Sequence, residues 1–97
     1  MLIQKKRVIY NWLNMGEYAN VKSKKFFQLL KWLSNHKRFE VVHGGRHVAK
    51  AHAIETNSSY PLPLSHKEVN KNIVKDFRDW LVRNNVCTTE EFDEHIR

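Results

Sequence analysis

The segment Val42-His43-Gly44-Gly45-Arg46-His47-Val48 places two histidines, two glycines and an arginine within seven residues. Adjacent glycines let a backbone turn tightly and approach a ligand closely. Here they deliver Arg46 and His47 to the start of a predicted strand, a firmer mount than a loop. An imidazole titrating near neutrality can take the proton of a ribose 2′-hydroxyl. Arg46 and Lys50 could hold a scissile phosphate and offset the charge that develops on it. Cleavage by that route needs no metal, leaves a 2′,3′-cyclic phosphate and spares DNA, which lacks the hydroxyl. A lone histidine beside a Gly-Gly turn is more often structural or solvent-exposed, so spacing alone leaves both roles open.

The charge balance points toward a polyanion. Seventeen Lys and Arg against ten Asp and Glu give the 97 residues a formal charge of +7. Residues 21–54 hold eight of the cations and one carboxylate, Glu40. Inside a cell the commonest polyanion is nucleic acid. Lys22, Lys24, Lys25, Lys31, Lys37, Arg38, Arg46 and Lys50 form the candidate RNA-binding surface, with Lys24, Lys25, Gly44, Gly45, Arg46 and Lys50 the closest candidates for substrate contact. Any single surface lysine is ordinarily a solvated charge.

Other residues carry weaker signals. His66 is a candidate auxiliary acid or base, or a residue that only shapes its turn. Tyr60 could donate a phenolic proton, although packing on a sheet is the commoner role. His43, His52 and His66 joined to His47 would give spacings of four, five and fourteen, which match no standard metal motif; no metal or other cofactor is expected. One cysteine, Cys87, excludes an internal disulfide framework and a multi-thiolate zinc site. No apolar run approaches the roughly 20 residues that span a bilayer, and the basic Lys5-Lys6-Arg7 start lacks the apolar stretch of a signal peptide. The expectation is a cytoplasmic protein without a membrane partner.

The elements that must position these groups follow from periodicity. Residues 1–20 read as an N-terminal extension, with Val8, Ile9, Trp12 and Leu13 at helical spacing; residues 21–97 read as the domain proper. Ser23 is a plausible N-cap for an amphipathic helix with Phe26, Phe27, Leu29, Leu30 and Leu33 as its apolar positions, stopping near Asn35. Residues 39–43 have strand composition and end at the glycines. Residues 47–54 alternate, with Ala49, Ala51 and Ala53 on one face. A polar loop over residues 55–59 leads to a third strand over residues 60–64, whose Pro61 and Pro63 remove donors along one side and place it at a sheet edge. Ser65 and Glu68 fit a capping box opening a helix with Val69, Ile73, Phe77, Trp80 and Leu81 in its stripe. A second box, Thr88 to Glu91, opens a short acidic helix with Phe92 and Ile96 inward. Trp32 lies off the main stripe, where it could cover the extension or a partner. The order helix, three antiparallel strands, helix, helix is an α+β fold with helices on one sheet face, the architecture of a dsRBD-like (double-stranded-RNA-binding-like) domain.

Taken together, Leu29-Leu30 with Trp32-Leu33, the Gly44-Gly45-Arg46-His47 turn, the hairpin, Pro61-Leu62-Pro63-Leu64-Ser65-His66 and the following helix resemble the HicA family of toxins. These are small mRNA interferases of type II toxin–antitoxin modules, with a dsRBD-like fold. The family pattern is a glycine, two variable residues and an essential histidine where the second strand opens. Gly44 and His47 fall at those positions, so the resemblance implies that His47 is the catalytic base. Pro63 and His66 match the end of the family's third strand less specifically. The likeness spans about residues 23–86; the N-terminal extension, the acidic helix after Asn85 and Gly45 depart from the pattern. The resemblance further implies an mRNA substrate and a HicB-like antitoxin that covers the site. The alternative is a non-catalytic RNA- or DNA-binding module on the same fold.

Overall fold

The computed structural model describes residues 18–44, 48–62 and 67–96. Its elements are β1 (Val21–Lys22), α1 (Ser23–Leu33), β2 (Phe39–Gly44), β3 (Val48–Ala53), β4 (Ser58–Leu62), β5 (Glu68–Val69), α2 (Lys71–Arg83) and α3 (Thr89–Ile96). The fold is α+β: an antiparallel sheet in the order β2-β3-β4, a two-stranded ladder β1-β5, and three helices. The expected extension, catalytic turn and His66 fall largely outside the described residues: residues 1–17, 45–47 and 63–66.

Strand alternation sorts the sheet into two faces. Ala49, Ala51 and Ala53 of the central strand are buried, as are Phe39 and Leu62 beside them. Lys50 points the other way and is exposed. Three alanines leave little bulk on the central strand, and aromatic side chains from the helices complete the core. Phe26 of α1, Phe77 of α2 and Phe92 of α3 are all fully buried. Phe77 lies with its ring 5.5 Å from Phe26, 5.3 Å from Tyr60 and 6.4 Å from Phe92, which ties β4 to all three helices.

The third strand lies at an edge, as the prolines require, but it runs over Ser58–Leu62, two residues earlier than the spacing suggests. The turn before it is correspondingly shorter. It closes through Asn57 in the left-handed region at φ 55°, a conformation that asparagine tolerates better than most residues.

Two helix starts differ from expectation. Ser23 is not the N-cap of α1; it is the first helical residue, Lys22 holds the cap position, and no side chain caps it. The Ser23 N–H instead donates to the Lys67 carbonyl at 2.9 Å. The helix assigned to a Ser65–Glu68 capping box starts later, at Lys71. Glu68 and Val69 are drawn into the ladder with Lys22 and Val21, so their backbone is extended. The cap is Asn70, whose Oδ1 accepts from the Asn72 N–H at 2.7 Å, while Asn20 Oδ1 accepts from the Lys71 N–H at 2.9 Å. Val69 leaves the helix but remains buried.

The remaining boundaries follow local chemistry. α2 ends in a Schellman motif: Asn85 is left-handed at φ 60°, its N–H reaches the Val82 carbonyl, and the Val86 N–H reaches Leu81. The capping box at α3 forms reciprocally, Thr88 N–H to Glu91 Oε1 at 2.9 Å and Glu91 N–H to Thr88 Oγ1 at 3.1 Å. The extension that Trp32 could cover lies, for residues 1–17, outside the described residues. Trp32 itself is half-buried, with the His95 ring of α3 stacked on it at 3.7 Å.

Candidate functional site

The β2–β3 hairpin sets the geometry of the candidate site. Six consecutive pairs run from Phe39↔Ala53 to Gly44↔Val48. Residues 45–47 connect the strands; Gly44, expected in the turn, is instead the last residue of β2 and pairs with Val48, and β3 begins at Val48, one residue later than the spacing suggests. Gly45, Arg46 and His47 themselves lie outside the described residues, and so does His66.

The register also fixes which backbone groups face where. The Ile54 N–H donates to the Arg38 carbonyl at 3.0 Å. In an antiparallel ladder this makes Glu40↔His52, Val42↔Lys50 and Gly44↔Val48 the hydrogen-bonded pairs. The same alternation carries Ala49, Ala51 and Ala53 toward β4, where they meet Leu62, Tyr60 and Ser58. Pro61 therefore presents its donor-free nitrogen to the outer edge of β4.

The described candidates separate. Lys50 stands exposed on the outer face of the sheet, opposite Val42 and Pro61. Lys24 and Lys25 are exposed in the first turn of α1, in the helical layer. Tyr60 faces inward with Ala51, half-buried, its ring 5.3 Å from Phe77 and 5.7 Å from Trp80. Burial first, and the nearby Asp76 charge second, push its phenol above the ordinary value of 10.0. Lys50 and Tyr60 thus occupy opposite faces, and Tyr60 serves the core. His43 shares a face with Ala49, whereas His52 stands on the face of Lys50, so the two histidines diverge. Among the described residues no group of three or more His, Cys, Asp or Glu side chains is placed to hold a metal ion.

His52 has a defined environment that the motif search did not find. Its Nδ1 lies 2.7 Å from Glu40 Oε2 and its Nε2 2.9 Å from Asn57 Oδ1. Two acceptors facing two ring nitrogens favour the doubly protonated ring. The hydrogen bond to Asn57, followed by that to Glu40, raises its pKa above the ordinary 6.5. The pairing of Glu40 with His52 depends on the hairpin register, which a turn at Gly44-Gly45 does not give.

A second cluster likewise joins residues that spacing does not connect. The Tyr18 hydroxyl donates to Asp93 Oδ1 at 2.6 Å and accepts from Arg78 Nη1 at 3.1 Å, while the Arg78 guanidinium lies 5.4 Å from the Tyr18 ring centroid. Burial, then the Asp93 hydrogen bond, raise the Tyr18 pKa. This network fastens the chain just ahead of β1 to α2 and α3. Cys87 is buried, and desolvation followed by the Glu91 charge pushes its thiol up to about 12, which rules it out as a nucleophile near neutral pH.

No protein-family model, curated protein or solved structure matches this chain. Among the described residues no helix is long and apolar enough to cross a membrane.

Proposed function

We propose that this chain is a metal-independent endoribonuclease of the HicA toxin type, built on a dsRBD-like variant of its α+β fold. The observation that carries the reading is the β2–β3 hairpin: its strands run in register to Gly44↔Val48, leaving Gly45, Arg46 and His47 as the whole connection. In this reading Gly44 through His47 are the glycine, two residues and histidine of the site, with Lys50 exposed on the strand that follows.

In this mechanism His47 takes the proton from a ribose 2′-hydroxyl, and the freed oxygen attacks the adjacent phosphorus. The bond to the 5′-oxygen breaks, giving a 2′,3′-cyclic phosphate and a 5′-hydroxyl once that oxygen is protonated. Arg46 and Lys50 hold the phosphate and offset its growing charge. Lys24 and Lys25 attract the rest of the strand from the helical layer. His66 is the remaining candidate for the acid, since Tyr60 packs into the core. mRNA is the substrate, the cytoplasm the place of action, and a HicB-like acidic antitoxin the partner.

Purified protein is expected to cleave RNA in EDTA and to leave cyclic phosphate ends. His47→Ala should lower the rate by about 10²–10⁴-fold, the usual contribution of a general base, with an unchanged circular dichroism spectrum. Cleavage by the variant at the wild-type rate would remove His47 from the mechanism. If neither protein cuts but both bind RNA with steep salt dependence, the non-catalytic binding module is the better description.

A further inference from the structure

The two edges of the three-stranded sheet are not alike. β4 is blunted by Pro61, which turns its donor-free nitrogen outward. β2 has no proline, and its six residues pair with β3 without a bulge. The ladder directs the N–H and C=O of Val41 and His43 away from β3. Among the described residues nothing bonds these four groups. The Phe39 N–H, on the same edge, is taken by the His36 carbonyl at 3.3 Å. Val42, between these two positions, is 42% exposed.

We propose that the outer edge of β2 is a strand-addition site for an extended acidic segment of a partner protein, bonded through the backbone of Val41 and His43. Strand addition takes its affinity from main-chain hydrogen bonds and its specificity from alternate side chains. A nucleic acid has no alternating amide ladder to offer here. A second copy is disfavoured because each chain carries a formal charge of +7. An acidic strand meets the opposite balance. Glu40, the one carboxylate of β2, is already engaged by His52, whereas Lys37 and Lys50 are exposed nearby. An apolar side chain of the added strand would cover Val42. That strand would run along β2 as far as Gly44, which precedes Arg46 and His47 in the chain. Blockade of RNA cleavage by it rests on the proposed function; the binding itself does not.

The test uses the full chain, amide hydrogen exchange by NMR, and a capped heptapeptide of alternating Glu and Val. At nine-tenths occupancy the Val41 and His43 amides should exchange about ten-fold more slowly, because only the unbound tenth remains open. A peptide with Lys in place of Glu should protect them far less. His43→Pro should abolish binding, on the precedent of Pro61 at the opposite edge; if that variant does not fold, the wild-type exchange pattern decides. Three results would overturn the proposal. These are equal protection by both peptides, binding that leaves the two amides unprotected, and protection without peptide that grows with protein concentration, which would identify a second copy as the occupant. Loss of RNA cleavage is scored separately, so an inactive protein that still binds the acidic peptide defeats only the nuclease reading.

Discussion

Phe77→Ala probes the joint on which the site's scaffold depends. Phe77 is fully buried and its ring meets Phe26, Tyr60, Trp80 and Phe92, one contact each from α1, β4, α2 and α3. Truncating a buried phenylalanine costs about 3–5 kcal/mol. The four ring contacts, each worth about 0.5–1.5 kcal/mol beyond area burial, place this site in the upper part of that range. A domain of this size holds only about 5–15 kcal/mol in all. With an unfolding entropy near 2.1 cal/mol/K per residue, a loss of about 4 kcal/mol lowers Tm by roughly 20 °C. Thermal and urea unfolding followed by circular dichroism would measure it. Phe77→Leu, which retains most of the volume, should lose well under half as much. A fall in Tm below about 5 °C for the alanine variant, at unchanged urea m-value, would refute Phe77 as the meeting point of sheet and helices.

Other expectations follow from local geometry. His52 should titrate by NMR above 6.5, and both Glu40→Gln and Asn57→Gly should bring its midpoint down, the glycine retaining the left-handed turn at position 57. Because the folded pKa is raised, this group's stabilisation is fully present below the unfolded value and disappears as pH rises through the folded one. A midpoint at or below 6.5 in the wild-type protein would contradict the two-acceptor environment. Thr88→Ala breaks one half of the capping box of α3 and should cost about 1 kcal/mol in urea unfolding. Glu91→Gln, which keeps an acceptor for the Thr88 N–H, should cost less.

Much of the local structure was legible because its causes are local. The stripe of α1 (apart from Phe27, which the structure leaves 46% exposed), the alternation of Ala49, Ala51 and Ala53, the Thr88–Glu91 box and the edge position of the proline strand each depend on residues within a few positions of one another. The hairpin belongs to the same class, but its register does not: Gly44 pairs with Val48 rather than sitting in the turn. His47 and Arg46 were singled out by type and spacing, a chemical argument that stands apart from the description of residues 18–44, 48–62 and 67–96.

What tertiary structure alone decided lies between distant segments. Ser65 and Asn70 both suit a helix start. The choice went to Asn70 because Glu68 and Val69 pair with Lys22 and Val21, and no periodicity announces a two-residue ladder. Tyr18 meets Asp93 across 75 positions, a contact that exists only once α2 and α3 have packed. The amino-acid order determined the helices, the hairpin and the candidate chemistry, since these arise from neighbouring residues. Which caps were used, which sheet edge is unpaired among the described residues and which face Lys50 and Tyr60 occupy depended on packing among elements far apart in the chain.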